Sequence, residues 1–137
     1  MISKQTAVKV LNEALLTGAD FAEIYIEEDN QSAISLDNGK VESSSDTLTY
    51  GAGIRLLKDL QSVYGYTNDV SQKGLIKLAQ ELRVRFNGER LITVNKVVTQ
   101  KTTRRNQPKI RYDEYPREDL IRLLEEASLE CLNYDEK

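Results

Sequence analysis

Few residues of this chain have types that could support chemistry, and histidine is not among them. Histidine is the usual general base near neutral pH and the commonest zinc ligand, so a count of zero removes most hydrolytic sites at once. A carboxylate pair, a lysine nucleophile or an all-oxygen metal site would survive that loss. Glu23, Glu27, Glu28 and Asp29 offer oxygens for a hard cation, but in FAEIYIEE a strand period sends Glu23 and Glu27 outward along one face, where solvated charges account for them. Cys131, the single cysteine, has no histidine to activate it and falls on the apolar stripe of a helical segment. It is therefore assigned to packing, not to nucleophilic attack.

Two longer segments invite a ligand. The stretch YGAGIRLLKDLQSVYGYTND is glycine-bearing, yet it lacks Gly-Lys-Ser/Thr and does not open a helix after its first glycines. Gly51, Gly53 and Gly65 then read as bulges or close backbone approaches in a strand pair. Between Lys96 and Arg111 stand six basic residues and no acidic one, enough charge to attract phosphates. Almost no aromatic ring accompanies them, so a solvated connection or an inter-domain contact is preferred, with nucleic-acid binding as the third choice of function.

The elements that must carry these residues follow from periodicity. Ser3 is the expected N-cap of a first helix running to about Thr17, with Ala7, Val8, Leu11, Ala14 and Leu15 at helical spacing and Gly18 as its stop. A strand follows through Ala22, Ile24 and Ile26. Asp29-Asn30-Gln31 has turn chemistry before Ala33 to Leu36, and Asn38-Gly39 is the pair favoured in type I′ hairpins, so two turns in succession predict a meander. A further strand through Leu48, Tyr50, Ala52, Ile54 and Leu56 should turn near Lys58-Asp59 and return through Val63, Tyr64 and Tyr66. Ser71 caps a second helix with the stripe Leu75, Leu78, Ala79 and Leu82, expected to end near Asn87-Gly88. Leu91 to Val98 suggests another extended segment. Pro116 suits the first turn of a final helix in which Leu120, Leu123, Leu124, Ala127 and Cys131 share a face.

The resulting fold class is α/β (α+β): a mostly antiparallel sheet of four to five strands packed against two to three helices. Residues 1–87 form the core domain, 88–115 an extended, basic connection with the composition of a mobile linker, and 116–137 an amphipathic C-terminal helix. At 137 residues, 39% hydrophobic and 30% charged, the chain is long enough for one ordinary core without disulfides. Its net charge of −3 conceals a basic middle: residues 71–112 carry eleven basic and two acidic groups, between acidic flanks. No apolar run reaches the roughly 18–20 residues of a membrane helix. The start MISKQTAVKV has no apolar leader core, which together with the lone cysteine fits a reducing cytoplasm.

The phrases GADFAEIYIEE, LDNGKVESSS, YGAGIRLLKD and GYTNDVSQKGL, in that order and spacing, resemble the start of the TldD/PmbA family of peptidases, and PREDLIRLLEEASLECLNYD looks like the family's following helix. Residues 88–115 match poorly. The resemblance implies an N-terminal α/β domain preceding a β-rich domain with a zinc-binding His-Glu-x-x-x-His motif, in cytoplasmic enzymes, sometimes described as modulators of DNA gyrase, that clip unfolded peptides as homo- or heterodimers. That motif is absent from this sequence.

Three expectations for function follow. The first is a non-catalytic N-terminal domain or fragment of a zinc metallopeptidase that processes peptides, not an enzyme by itself, with zinc expected in the catalytic domain. Its partners would be that domain or a partner subunit and a peptide substrate, with no membrane. The second is a free-standing interaction or regulatory module that pairs with a complete family member, a choice decided by whether the natural chain continues past Lys137 into the zinc motif. The third is nucleic-acid binding through residues 96–111. Within the family-like phrases, Arg55, Tyr66 and Asn68 could face a peptide or an interface. An arginine paired to a strand neighbour and a turn asparagine explain two of them equally well.

Overall fold

The structure, a computed structural model, describes residues 2–100, 108–111 and 114–134. Among the described residues the fold is α+β, with three α-helices and a three-stranded antiparallel sheet. The chain divides into two units: Met1–Asp29 with Thr49–Gln100, and Asn30–Leu48 with Lys101–Lys137.

In the first unit, helix α1 (Lys4–Ala14) starts at Ser3, whose hydroxyl accepts the Thr6 N–H at 3.0 Å. That satisfies one orphan donor of the first turn, worth about 1 kcal/mol. A 3₁₀ turn (Leu15–Thr17) tightens its end, and Gly18 adopts φ +88°, a left-handed conformation that a side chain would strain. Strand β1 (Phe21–Asp37), strand β2 (Lys40–Lys58) and strand β3 (Gln61–Thr67) lie in the order β1-β2-β3. The β2 to β3 ladder is antiparallel and unbroken from Ala52 opposite Thr67 to Lys58 opposite Gln61, and Asp59 at φ +53° makes the turn. Helix α2 (Gln72–Arg83) begins at Ser71, whose hydroxyl accepts the Gly74 N–H at 3.1 Å.

The core of this unit gathers the inward side of each element. Ala52, Ile54 and Leu56 alternate inward on β2, while Leu75, Leu78, Ala79 and Leu82 form the buried stripe of α2, and Val10, Ala14 and Leu15 come from the first helix and its 3₁₀ end. Gly65 leaves room on β3 for that stripe, because a Cβ there would lie 3.0 Å from both Leu78 and Leu82. Arg83 and Gln80 of α2 both reach the Glu13 carboxylate of α1, at 2.7 and 3.0 Å, closing the polar side of the helix pair.

Three expectations about this region are corrected. Asp29-Asn30-Gln31 is not a turn, for β1 runs through it without interruption: ladder hydrogen bonding outweighs local turn propensity. Leu91 to Val98 joins no strand. Its polar groups are met instead by the side chain of Asn12 on α1, which donates to the Val94 carbonyl at 2.8 Å and accepts the Val94 N–H at 3.0 Å, a side-chain imitation of strand pairing. These two differences reduce the expected four to five strands to three. Helix α2 also stops at Arg83, short of Asn87-Gly88; the chain then turns through Arg85 and Phe86, burying the Phe86 ring. Gly88 does not take positive φ.

In the second unit, Asn38 and Gly39 both take positive φ, +48° and +73°, as a type I′ hairpin requires. Helix α3 (Arg117–Tyr134) follows Pro116, which stands just outside it with its carbonyl accepting the Asp119 and Leu120 N–H groups. Glu118 and Asp119 favour the positive end of the helix dipole. No residue of α3 is buried, and Cys131 is exposed, which corrects its assignment to packing. The half-buried positions are Arg117, Asp119, Leu120, Ile121 and Ser128. At 100° per residue, Ile121 and Ser128 lie to one side of the line through Leu123, Ala127 and Cys131, so the apolar stripe and the covered face coincide only in part. Among the described residues, no helix is long and apolar enough to cross a membrane. Of the basic run, Lys101, Arg104 and Arg105 lie outside the described residues.

Candidate functional site

Alternation on three strands builds one open face on the sheet of the first unit. With Ile24, Ile26, Ala52, Ile54, Leu56 and Val63 turned toward the helices, the opposite positions Glu23, Tyr25 and Glu27 of β1, Gly51, Gly53 and Arg55 of β2, and Tyr64 and Tyr66 of β3 share the helix-free side. Gly53 stands opposite Tyr66, and Arg55 opposite Tyr64. Lacking a side chain, Gly53 lets the Tyr64 ring lie across it; a Cβ there would approach Tyr64 Cε2 and Cζ to 2.8 Å and run into the hydroxyl. Gly51 is approached in the same way by the Thr67 carbonyl, at 3.1 Å from where its Cβ would be, and by the Asn68 side chain. The result is a trough of about 240 Å³ with glycines in its floor and tyrosines in its walls.

Of the three residues singled out in the sequence, Tyr66 and Asn68 line this trough and Arg55 does not. Arg55 stands on the same face, with its Nε 2.7 Å from Glu23 Oε1, the strand-neighbour pairing anticipated for it. Both partners are about half exposed, so solvent screening leaves the pair little net energy, at most about 1 kcal/mol. Tyr25, Tyr64 and Glu27 also line the trough and were not singled out as site residues. The signal for them was present: Gly51 and Gly53, and Tyr64 and Tyr66, are each two residues apart, the strand period that puts a pair on one face.

A second polar cluster belongs to the second unit and centres on Arg117. Its guanidinium donates to Ser44 Oγ at 2.6 Å, to Asp46 Oδ2 at 2.5 Å, and to the Ala33 and Ser45 carbonyls at 3.3 and 3.2 Å. With its donors occupied by the hairpin, Arg117 tethers α3 and offers no vacant fork to an anion. The Arg117 hydrogen bond, then that of Ser32, holds the Asp46 carboxyl below its ordinary value, and Arg117 itself is raised by Asp46. A carboxyl depressed in the folded state stabilises it above the unfolded pKa, and that contribution disappears as pH falls through the folded pKa. In an NMR titration, Asp46 is therefore expected to protonate below the ordinary carboxylate range near 3.9 and to return toward it in Arg117→Gln. An Asp46 titration unchanged by that substitution would refute the tether.

A histidine-bound zinc ion does not fit this chain, which has no imidazole, and among the described residues no group of three or more Cys, Asp or Glu side chains could hold a metal ion. What the chain is related to comes from its sequence. Residues 22–84 match the family described as PmbA/TldA metallopeptidase domain 1. This segment is an N-terminal domain of the TldD/PmbA family. The matched span covers all of β2, β3 and α2 together with most of β1, and so contains the glycine and tyrosine face in full. No curated protein matches the chain.

Proposed function

We propose that the chain is the non-catalytic N-terminal domain of a TldD/PmbA-type zinc metallopeptidase, acting in the cytoplasm as wall and support for a catalytic centre carried by another domain or a partner subunit, in a dimer that cleaves peptides. The observation that carries this reading is the family match over residues 22–84. The absence of histidine supports the non-catalytic part, because a zinc peptidase needs imidazole ligands that this chain cannot supply. A sheet with one face covered by helices and the other open is suited to shaping a cleft.

Incubated alone with zinc and an unstructured fluorogenic peptide, the chain is expected to leave the peptide intact. Joined to the catalytic domain of a family peptidase, it is expected to support cleavage that a chelator abolishes. Chelator-sensitive cleavage by the chain alone would overturn the proposal. A changed cleavage rate on adding the chain to an already complete family peptidase would favour the free-standing regulatory module.

A further inference from the structure

The trough on the helix-free face has a composition that selects a ligand. Its volume of about 240 Å³ lies below the roughly 300–1,000 Å³ of small-molecule pockets, so it suits one long side chain better than a cofactor. Its walls are aromatic: Tyr25 is 57% exposed, Tyr64 59% and Tyr66 78%. The Tyr64 ring has a structural purpose in covering Gly53, where an aromatic ring shields a glycine that would otherwise weaken the strand. No such purpose accounts for Tyr25 and Tyr66, which extend the aromatic surface into solvent. Glu27 adds a carboxylate at the same trough, and among the described residues it has no ion-pair partner, whereas Glu23 is occupied by Arg55.

Negative ring faces beside an unpaired carboxylate favour a cation. Of the two long basic side chains, arginine suits the site better, because its planar guanidinium stacks on a tyrosine ring while its fork pairs with a carboxylate. Strand β3 is an edge of the sheet, and an extended segment laid along it would put alternate side chains on this face, beside Tyr64 and Tyr66. We propose that the trough of Tyr25, Glu27, Gly53, Tyr64, Tyr66 and Asn68 binds an arginine side chain of an extended peptide. The choice of a peptide as bearer rests on the peptidase reading above; the choice of a cation rests on the trough alone.

The test is binding to the full 137-residue chain of capped peptides that differ at one central position: arginine, lysine, the neutral isostere citrulline, or glutamate. The arginine peptide is expected to bind at least tenfold more tightly than the citrulline peptide, with lysine between them, and to shift the amide resonances of Gly51 and Gly53. Glu27→Gln should remove most of the preference for arginine over citrulline. Tyr66→Ala, at a position too exposed to unfold the domain, should weaken the arginine peptide severalfold with the melting temperature unchanged. Equal binding of the arginine and citrulline peptides, indifference to both substitutions, or no binding of any peptide would overturn the proposal. Because the readout is binding and not cleavage, its failure leaves the peptidase reading standing, and failure of the cleavage test leaves the arginine preference to be judged by itself.

Discussion

Truncating Ile54 to alanine is expected to cost the first unit about 2–5 kcal/mol, read as a lowered midpoint in urea with an unchanged slope. Ile54 is fully buried within the ladder that joins β2 to β3, opposite Gly65, and shares the core with the α2 stripe of Leu75, Leu78 and Leu82. Removing its outer carbons loses their transfer energy and leaves a cavity that the surrounding strands cannot close, because Gly65 across the ladder has no side chain to move in. Ile54→Val, which deletes one methylene, should cost only about 0.5–1.5 kcal/mol. A loss below that range for the alanine variant would mean that the core collapses around the gap, and that the inward face of β2 is less tightly determined than its burial implies.

Gly74→Ala gives a prediction whose sign separates local from tertiary control. By helix propensity alone, alanine inside α2 would gain up to about 1 kcal/mol over glycine. The surroundings of Gly74 forbid it: a Cβ there would run into the Asp69 backbone carbonyl and carboxylate. Asp69 cannot easily withdraw, since its Oδ1 accepts the Ser71 N–H at 3.0 Å, while Ser71 caps the helix by accepting the Gly74 N–H. Hydrogen bonds to Asp69 from the Ser71 side chain, and then from the Ser71 backbone N–H, hold the Asp69 carboxyl below its ordinary value. Crowding this turn should therefore destabilise the unit by about 1–3 kcal/mol, the usual range for overpacking. Thermal melts of the two proteins decide the matter, and an alanine variant more stable than the parent would show that the turn before α2 yields freely.

The arginine trough, if occupied as proposed, would give the domain a part in choosing substrate without contributing to the chemistry. Selectivity would then reside in ring faces and a carboxylate on the supporting domain.

Much of this architecture was legible from one sequence because its causes are local. Ser3 and Ser71 cap helices for the same reason anywhere, Asn38-Gly39 suits a type I′ turn because both residues tolerate positive φ, and the alternation of Ala52, Ile54 and Leu56 marks the inward side of a strand. The missing histidines and the family-like phrases were also plain in the chain, and the phrases led to the metallopeptidase family that residues 22–84 match. Tertiary structure alone decided the rest, wherever a partner distant in sequence outweighed a local preference. Asp29-Asn30-Gln31 extends a strand instead of turning, and Val94 finds its hydrogen bonds on Asn12, 82 residues away, instead of in a sheet. Cys131 is exposed because the covered side of α3 is not centred on its stripe. The trough has the same origin: its glycines and tyrosines follow a period of two that the sequence displays, but only the register of β2 against β3 sets Tyr66 opposite Gly53 and lets the Tyr64 ring cross it.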